Sequence, residues 1–187
     1  LDGRKTQTRR IPSANFAAAL DAAGDRIIKR YPHQRGSGYE VGMRLWVREQ
    51  WAPLSALTHS DPGTNALAAN GFYRADDSTV DGEISRWRPS IHMPRWASRF
   101  TLTVTDVRVQ RLQEISEEDA RAEGVRQVAG FFQIDKPDGK TAGATSAVGA
   151  FALLWNSLHG AAWAANPWVV ALTFCTAHRN IDAKEAA

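Results

Sequence analysis

The 187-residue sequence predicts a mainly β protein with flanking helices, an α+β fold built around a small β-barrel. Two observations predict it: several stretches have the residue pattern of strands, and only two short segments have helical signals. A chain of this length can bury about 70% of its unfolded surface in one core. We therefore expect a single domain over residues 1–178, with loop insertions near 52–98 and 127–149 and a frayed tail over 179–187.

Four segments have the residue pattern of strands. The longest begins at Arg99, and its apolar residues Phe100, Leu102 and Val104 alternate with threonines, as expected for a strand with one buried face. The last one follows Pro167, a residue that is tolerated at the start of a strand. The predicted strands are Arg44–Trp51, Phe72–Ala75, Arg99–Val109 and Trp168–Cys175.

Two segments are predicted to form helices. In the first, Ser116 is a good N-cap, acidic residues fill the first turn, and Gly124 ends the helix. In the second, apolar residues recur at helical spacing as far as Gly160. The predicted helices are Ser116–Gly124 and Ala150–Gly160, and the predicted loops are Ala52–Asn70 and Lys136–Gly149.

The composition excludes several classes of protein. Apolar residues make up 43% of the chain and charged residues 23%, which excludes a disordered chain, a collagen-like fibre and a coiled coil. The longest apolar run, Ala147–Trp155, is too short to cross a bilayer, and the first ten residues lack the apolar stretch of a signal peptide. Cys175 is the only cysteine, so an intrachain disulfide is excluded. We therefore expect a cytoplasmic protein without membrane contact.

Charge is distributed unevenly along the chain, although the net charge is only +3. Residues 1–10 carry a net charge of +3, and residues 84–111 carry +5 from six arginines and one aspartate. Residues 112–123 carry a net charge of −4. Arginine pairs with phosphates and stacks on bases, so the basic segments indicate a nucleotide or polyanion partner; a merely solvated surface would have the same composition.

The segment 85–99 combines basic and aromatic side chains, with four arginines alternating with Trp87 and Trp96. Rings that stack on bases, flanked by arginines that hold phosphates, are the scheme of single-strand recognition. The alternative is that the tryptophans pack in the core while the arginines face solvent, because tryptophan is costly to expose. The candidate ligand-binding residues of this segment are Arg86, Trp87, Arg88, His92 and Arg95.

No metal or cofactor is expected from the sequence. The five histidines lack the close spacing of metal ligands, and the lone Cys175 adds no partner to them. The sequence has no phosphate-binding P-loop, no dinucleotide-binding fingerprint and no hydrolase nucleophile elbow.

The order of the motifs resembles that of the ASCH domain family, a group of PUA-like β-barrels. Residues 3–10, with the sequence GRKTQTRR, are similar to the family's opening motif G-x-K-T-x-T-x-R. The resemblance spans residues 3–174 and places a strand, a long strand, a short helix and a final strand after that motif. These are matched, in the family's order, by Gly42–Val47, Arg99–Val109, Ser116–Glu123 and Trp168–Phe174.

Within the family, the chain is similar to bacteriophage and prophage members in residues 88–94 and 166–168. It departs from the small bacterial members in its longer stretches over 50–98 and 127–148. The resemblance also implies a strand before Gly3 that is not part of the sequence.

The resemblance implies two functions. PUA-like barrels commonly present a basic cleft to RNA, which implies binding of RNA or of a nucleoside or nucleotide ligand, with Arg4 and Arg10 as further contacts. One bacterial branch resembles an amidohydrolase that acts on N4-acetylcytidine, and its catalytic residues match Lys5, Thr8 and Glu123. In that mechanism Thr8 is the nucleophile, Lys5 the base that activates it, and Glu123 the proton shuttle.

The relative placement of Lys5 and Thr8 distinguishes these functions. The positive field of the flanking arginines is expected to lower the pKa of Lys5, as a base requires. Residues three apart share a face on a helical turn but not on a strand, so hydrolysis requires a bend here. In a binding protein, Lys5 and Arg10 would bind phosphate, and Thr8 would bond the loop backbone. Glu123 would then either face solvent on its helix or pair with Lys5. A ribonuclease that uses the same residues, and a phage assembly factor that binds protein through an apolar patch, are the remaining alternatives.

Overall fold

The computed structural model describes residues 5–23, 37–53, 71–76, 84 and 86–183. Its strands are β1 (Gln7–Arg10), β2 (Arg44–Trp46), β3 (Trp51–Ala52), β4 (Phe72–Tyr73), β5 (Thr101–Arg111), β6 (Arg126–Val128), β7 (Phe131–Asp135), β8 (Thr141–Ala144) and β9 (Trp168–Ala177). The helices are α1 (Ala14–Ala23), α2 (Glu117–Ala122) and α3 (Ala147–His159). The protein is therefore mainly β, with antiparallel sheets and a few helices, which confirms the α+β class.

The chain divides into two compact units. The first unit consists of Leu1–Met43 and Thr103–Cys175, and the second of Arg44–Leu102 and Thr176–Ala187. The long strands β5 and β9 each begin in one unit and end in the other.

The first unit contains a sheet in which the strand order is β1-β9-β5. β1 runs antiparallel to β9, with Gln7 opposite Thr173 and Arg10 opposite Val170. The apolar, β-branched stretch of β9 is buried from Trp168 to Leu172, so this strand forms the centre of the sheet. β1 lies at one end of the order and presents alternate side chains to two different environments.

The core of the first unit lies between the helices and a second sheet, β6-β7-β8. α3 packs on β7 and β8, and α2 packs on α3 and β1. Phe151 and Trp155 on α3 are buried against apolar residues of both sheets, including Ile134 and Val169. Burying side chains of this size contributes roughly 1.5–3 kcal/mol each, so the helical spacing read from the sequence is what attaches α3 to the sheets.

The short helix α2 begins and ends as its sequence predicts. The Ser116 hydroxyl accepts a hydrogen bond from the backbone N–H of Asp119 at 3.0 Å, the geometry of an N-cap. Gly124 follows the helix with φ +106°, a conformation that a residue with a side chain rarely adopts. The chain can therefore turn away immediately after Glu123, which fixes Glu123 at the C-terminal end of the helix.

The second unit has its own small core, formed around the paired strands β3 and β4. Trp51 and Tyr73 are buried together with Met93 and Ala97. Two short 3-10 turns, Ser90–His92 and Arg95–Ala97, follow one another, and each begins after a proline. The strand expected over Arg44–Trp51 is interrupted after β2, where the Glu49 N–H donates to the Met93 sulfur at 3.1 Å.

Several elements differ from the sequence prediction. The loop expected over Lys136–Gly149 contains β8 and the first turn of α3, because the Lys136 N–H bonds to the Lys140 carbonyl and closes a hairpin. The loop expected over Ala52–Asn70 lies largely outside the described residues. Within the tail expected to fray, the Asn180 side chain bonds to Ser98 and Ile181 is buried, so these two residues are held in place.

Candidate functional site

The alternation of β1 places every second side chain beside α2. The Thr6 N–H donates to the Ala122 carbonyl at 2.8 Å, and the Thr6 carbonyl accepts from the Phe174 N–H at 2.9 Å, so the extended pairing continues ahead of β1. Lys5, Gln7 and Arg9 then lie on one face of the extended segment and reach the carboxylates of α2. A side-chain network joins the two elements there.

We call this network the polar cluster. At its centre, Glu123 accepts one hydrogen bond from the Lys5 ammonium at 3.1 Å and another from Nη1 of Arg9 at 3.0 Å. Nη2 of Arg9 donates to Asp119 at 2.9 Å, so one guanidinium bridges both carboxylates. The members of the polar cluster are Lys5, Gln7, Arg9, Arg108, Asp119 and Glu123.

Asp119 is held by three donors. The Gln7 amide donates to its Oδ1 at 3.0 Å, and Arg108 donates to the same oxygen at 2.9 Å. Burial alone would raise the pKa of Asp119, but the hydrogen bonds from Arg108 and Gln7 and the charges of Arg108 and Arg9 outweigh it and hold the pKa below its ordinary value. Asp119 is therefore an ionised anchor for the cations around it.

Burial distinguishes the anchoring side chains from the accessible one. Glu123 is 3% exposed and Arg9 is 5% exposed, whereas the Lys5 side chain is 38% exposed. Lys5 and Arg108 are the cations of the cluster that reach solvent, and Arg108 also pairs with Asp106 at 3.4 Å. The cluster therefore consists of buried ion pairs that hold one ammonium group, that of Lys5, at the protein surface.

Thr8 is on the opposite face of β1 from this cluster. It alternates with Gln7 and Arg9, the two buried residues of the strand, and is itself half-buried. The structure thus brings Lys5 and Glu123 together but does not bring Thr8 to Lys5, as the extended backbone dictates. The bend that a Thr8–Lys5 nucleophile and base would require is not present, because β1 pairs with β9 residue by residue.

The other residues expected at this end of the chain are placed differently. Arg10 is exposed on the same face as Thr8, away from the polar cluster. Arg4 lies outside the described residues. Among residues 5–10, the described part of the basic opening segment, Lys5 is therefore the residue that both joins the cluster and reaches its surface.

The candidate residues of the segment 85–99 lie in the second unit and have separate roles. Trp87 packs against a small core of Ala52, Phe72 and Ile84, so it is a packing residue, contrary to its expected role in base stacking. Arg95 forms a paired contact with Asp182, at 2.8 and 2.9 Å, and is not available as a free phosphate contact.

Three further residues of that segment are exposed: Arg86, Arg88 and His92. The guanidinium of Arg88 lies 5.7 Å from the ring centre of Trp51. His92 forms the end of a 3-10 turn at the surface. Most of the basic charge read from residues 84–111 is therefore neutralised, because Arg95, Arg99, Arg108 and Arg111 all form ion pairs.

Four members of the site were not predicted from the sequence: Gln7, Arg9, Arg108 and Asp119. A strand over residues 5–10 would have grouped Lys5, Gln7 and Arg9 on one face, and that assignment was the missing signal. The separation of a basic opening segment from the acidic residues 112–123 was a second signal, since opposite charges of this density pair with one another in the fold.

The described part of the chain contains neither a candidate membrane-spanning helix nor a candidate metal site. None of its helices is both long enough and apolar enough to traverse a lipid bilayer. Among the same residues, no group of three or more histidine, cysteine, aspartate or glutamate side chains is arranged to hold a metal ion.

No protein-family model, curated protein or solved structure matches the chain.

Proposed function

We propose that the protein binds RNA or a nucleoside-type ligand at the polar cluster, with Lys5 as the contact residue. The observation that carries this proposal is the Lys5 ammonium, which is partly exposed but fixed to the buried Glu123 at 3.1 Å. Lysine is flexible and loses rotamer freedom when it binds, so an ammonium already held in place contacts an anionic oxygen at a lower entropic cost.

The buried members of the cluster are positioning residues in this proposal. Asp119 holds Arg9, Arg9 holds Glu123, and Glu123 holds Lys5. The Lys5 ammonium has three N–H donors and uses one on Glu123, so it has donors left for a phosphate or a base carbonyl. A phosphate bound there would form a charge-assisted hydrogen bond with the ammonium.

The position of the opening motif also supports a proposal about the fold. We infer a PUA-like β-barrel of the ASCH type, in which the opening motif forms the strand that carries the ligand-binding lysine. Support comes from the position of this motif on β1, from its pairing with the final strand β9, and from the presence of Glu123 after a short helix. In such a protein the extended Lys5–Arg9 segment and α2 form one side of the ligand site.

Fluorescence anisotropy with a labelled single-stranded RNA tests this proposal. Lys5→Ala is expected to weaken binding about tenfold, because a lost charged hydrogen bond costs roughly 1.5–3 kcal/mol and Lys5 is partly solvated. Lys140→Ala, which removes an exposed lysine of the β7–β8 hairpin in the same unit, is the matched control. Equal affinities of the two variants would exclude Lys5 as the contact.

A second candidate is hydrolysis of an acylated cytidine. The observation that favours it is the contact between Lys5 and Glu123, two residues 118 positions apart that the family resemblance pairs in catalysis. With Thr8 on the other face, water would supply the nucleophile: its oxygen bonds to the acyl carbon, the C–N bond breaks, and the amine leaves with a proton. Lys5 would stabilise the developing oxyanion, and Glu123 would move the proton.

Release of cytidine from N4-acetylcytidine distinguishes this candidate from simple binding. Under the hydrolytic proposal, Lys5→Ala and Glu123→Gln lose the activity, while Thr8→Ala retains it because Thr8 faces away from the cluster. Thermal unfolding of each variant checks that the fold is intact. A folded wild-type protein that releases no cytidine rules out this activity and leaves binding as the function of the cluster.

A further inference from the structure

One tryptophan of the second unit is exposed to solvent while its ring rests against a buried residue. Trp96 is 58% exposed, in the 3-10 turn Arg95–Ala97. Its ring meets the buried Trp51 edge to face, with ring centres 5.7 Å apart and planes at 86°. Tryptophan is costly to leave in water, so an exposed ring that is braced by a core residue is unusual and indicates a contact surface.

The backbone around Trp96 is fixed by a single side chain. The amide of Asn180 donates to the carbonyls of Arg95 and Trp96, each at 3.0 Å, and to the carbonyl of Ser98 at 2.7 Å. These bonds tie two residues of the turn, and the residue that follows it, to one side chain. Trp96 is therefore presented in a defined position, and a ligand that stacks on it does not have to order the turn first.

Two exposed arginines lie against tryptophans of the second unit. Arg88 is 5.7 Å from the ring centre of Trp51, and its backbone pairs with that of Trp51 at 2.9 and 3.2 Å. Arg48 is 4.6 Å from the ring centre of Trp46, which packs against the core that contains Trp51. Both form cation–π contacts, and no carboxylate of the described residues pairs with either of them, so their charge is available to a ligand.

We propose that Trp96, Arg88 and Arg48 form a surface that binds single-stranded nucleic acid. A base stacks on the exposed ring of Trp96, and the two guanidinium groups hold phosphates of the same strand. The charge favours a polyanion over an apolar protein partner, because Arg88 and Arg48 are exposed in the same unit as this ring, while Arg95 and Arg99 are already paired with carboxylates. This surface lies wholly in the second unit and does not rest on the function proposed for the polar cluster.

Anisotropy with labelled ten-nucleotide oligouridine and oligothymidine tests the surface. Trp96→Ala is expected to weaken binding about 5- to 100-fold, because a stacked base is lost. The effect is expected for both oligonucleotides, since stacking does not use the 2′-hydroxyl. Trp96→Phe is expected to retain most of the affinity. Phe131→Ala is the matched control, since it removes a ring of similar exposure in the first unit. Arg88→Ala is expected to lower the slope of log affinity against log salt by about 0.7.

The outcomes separate this surface from the polar cluster. Weaker oligonucleotide binding by Trp96→Ala together with unchanged binding by Lys5→Ala would support the surface and exclude the cluster as the nucleic-acid site. Equal binding by Trp96→Ala and Phe131→Ala would overturn the surface, whatever Lys5→Ala does. So would a wild-type protein that binds neither oligonucleotide, in which case the exposed ring would be assigned to a protein partner.

Discussion

The Arg9 side chain is fully buried and forms ion pairs with both Asp119 and Glu123. It also lies 5.8 Å from the ring centre of Phe151, so its surroundings are partly apolar. Removing charges from water is costly, and the cost is offset only when each charge is paired and hydrogen-bonded. At the scale of single residues, the carboxylates therefore depend on Arg9 more than on the half-exposed Lys5.

Replacing this guanidinium tests its importance directly. Arg9→Ala is expected to lower the free energy of unfolding by about 3–5 kcal/mol, because it leaves two carboxylates short of their buried cation. Arg10→Ala, at the next and exposed position of β1, is the control and is expected to change stability by less than about 0.5 kcal/mol. Urea unfolding of both variants measures the difference, and similar values for the two would contradict the argument.

The pH dependence of stability follows from Asp119. Its pKa in the folded protein lies below the ordinary value of 3.8, so its ionised form stabilises the fold. This contribution is complete above the pKa of the unfolded chain and is lost as the pH falls through the lower pKa of the folded protein. The stability difference between wild type and Asp119→Asn is therefore expected to be largest near neutral pH and to shrink below pH 3.8. A difference that stays constant in urea unfolding across this range would contradict the pairing.

At the scale of elements, α2 is only six residues long and is flanked by two residues with special roles. Ser116 caps its first turn, and Glu123 follows its last residue as the centre of the polar cluster. A helix this short has little stability of its own, so its ends are fixed by the cap and by the ion pairs with β1. Local sequence and long-range charge thus stabilise the same element.

Removing the N-cap measures how much the local sequence contributes to the stability of α2. Ser116→Ala is expected to destabilise the protein by about 1 kcal/mol, because the Asp119 N–H loses its acceptor. Ser157→Ala, at an exposed position within α3, is the control; it is expected to be neutral or slightly stabilising, since alanine is the better helix former. Thermal unfolding compares them, and a Ser116→Ala protein as stable as the control would show that the ion pairs alone hold α2.

Local signals predicted the elements that have them. β5 and β9 consist of long β-branched runs, and α2 and the end of α3 carry caps and glycines. α1 was missed although Ser13 precedes a run of alanines, the strongest helix formers. The β6-β7-β8 sheet was missed because its strands are only three to five residues long, so they have no clear alternation.

The candidate site was predictable only in part, for a similar reason. Lys5 and Glu123 were paired through the family resemblance, whereas Arg9 and Asp119 join them through a strand that the sequence analysis did not assign. The position of Thr8 depended on that same assignment. Trp87 and Trp96 could not be distinguished, because burial of a tryptophan depends on residues distant in sequence such as Trp51 and Phe72.

At the scale of the whole molecule, the two proposed contact surfaces belong to different compact units. A single nucleotide has one phosphate for the Lys5 ammonium, whereas the surface around Trp96 is proposed to hold a strand through several phosphates. We expect Lys5→Ala to weaken the binding of cytidine monophosphate and Trp96→Ala to leave it unchanged. Calorimetric titration with the mononucleotide checks this, and a loss caused by Trp96→Ala would contradict the assignment of the mononucleotide to the polar cluster.

The alternation of β1 also has a consequence for how the chain folds. Were this strand to slide by one residue along β9, Thr8 and Arg10 would turn inward and Arg9 would face water. The mispaired chain would bury Glu123 and Asp119 beside a threonine, and that arrangement would be strongly disfavoured. The buried ion pairs thus help to specify the register of β1, because they stabilise only one of the several alignments that the backbone of an edge strand could adopt.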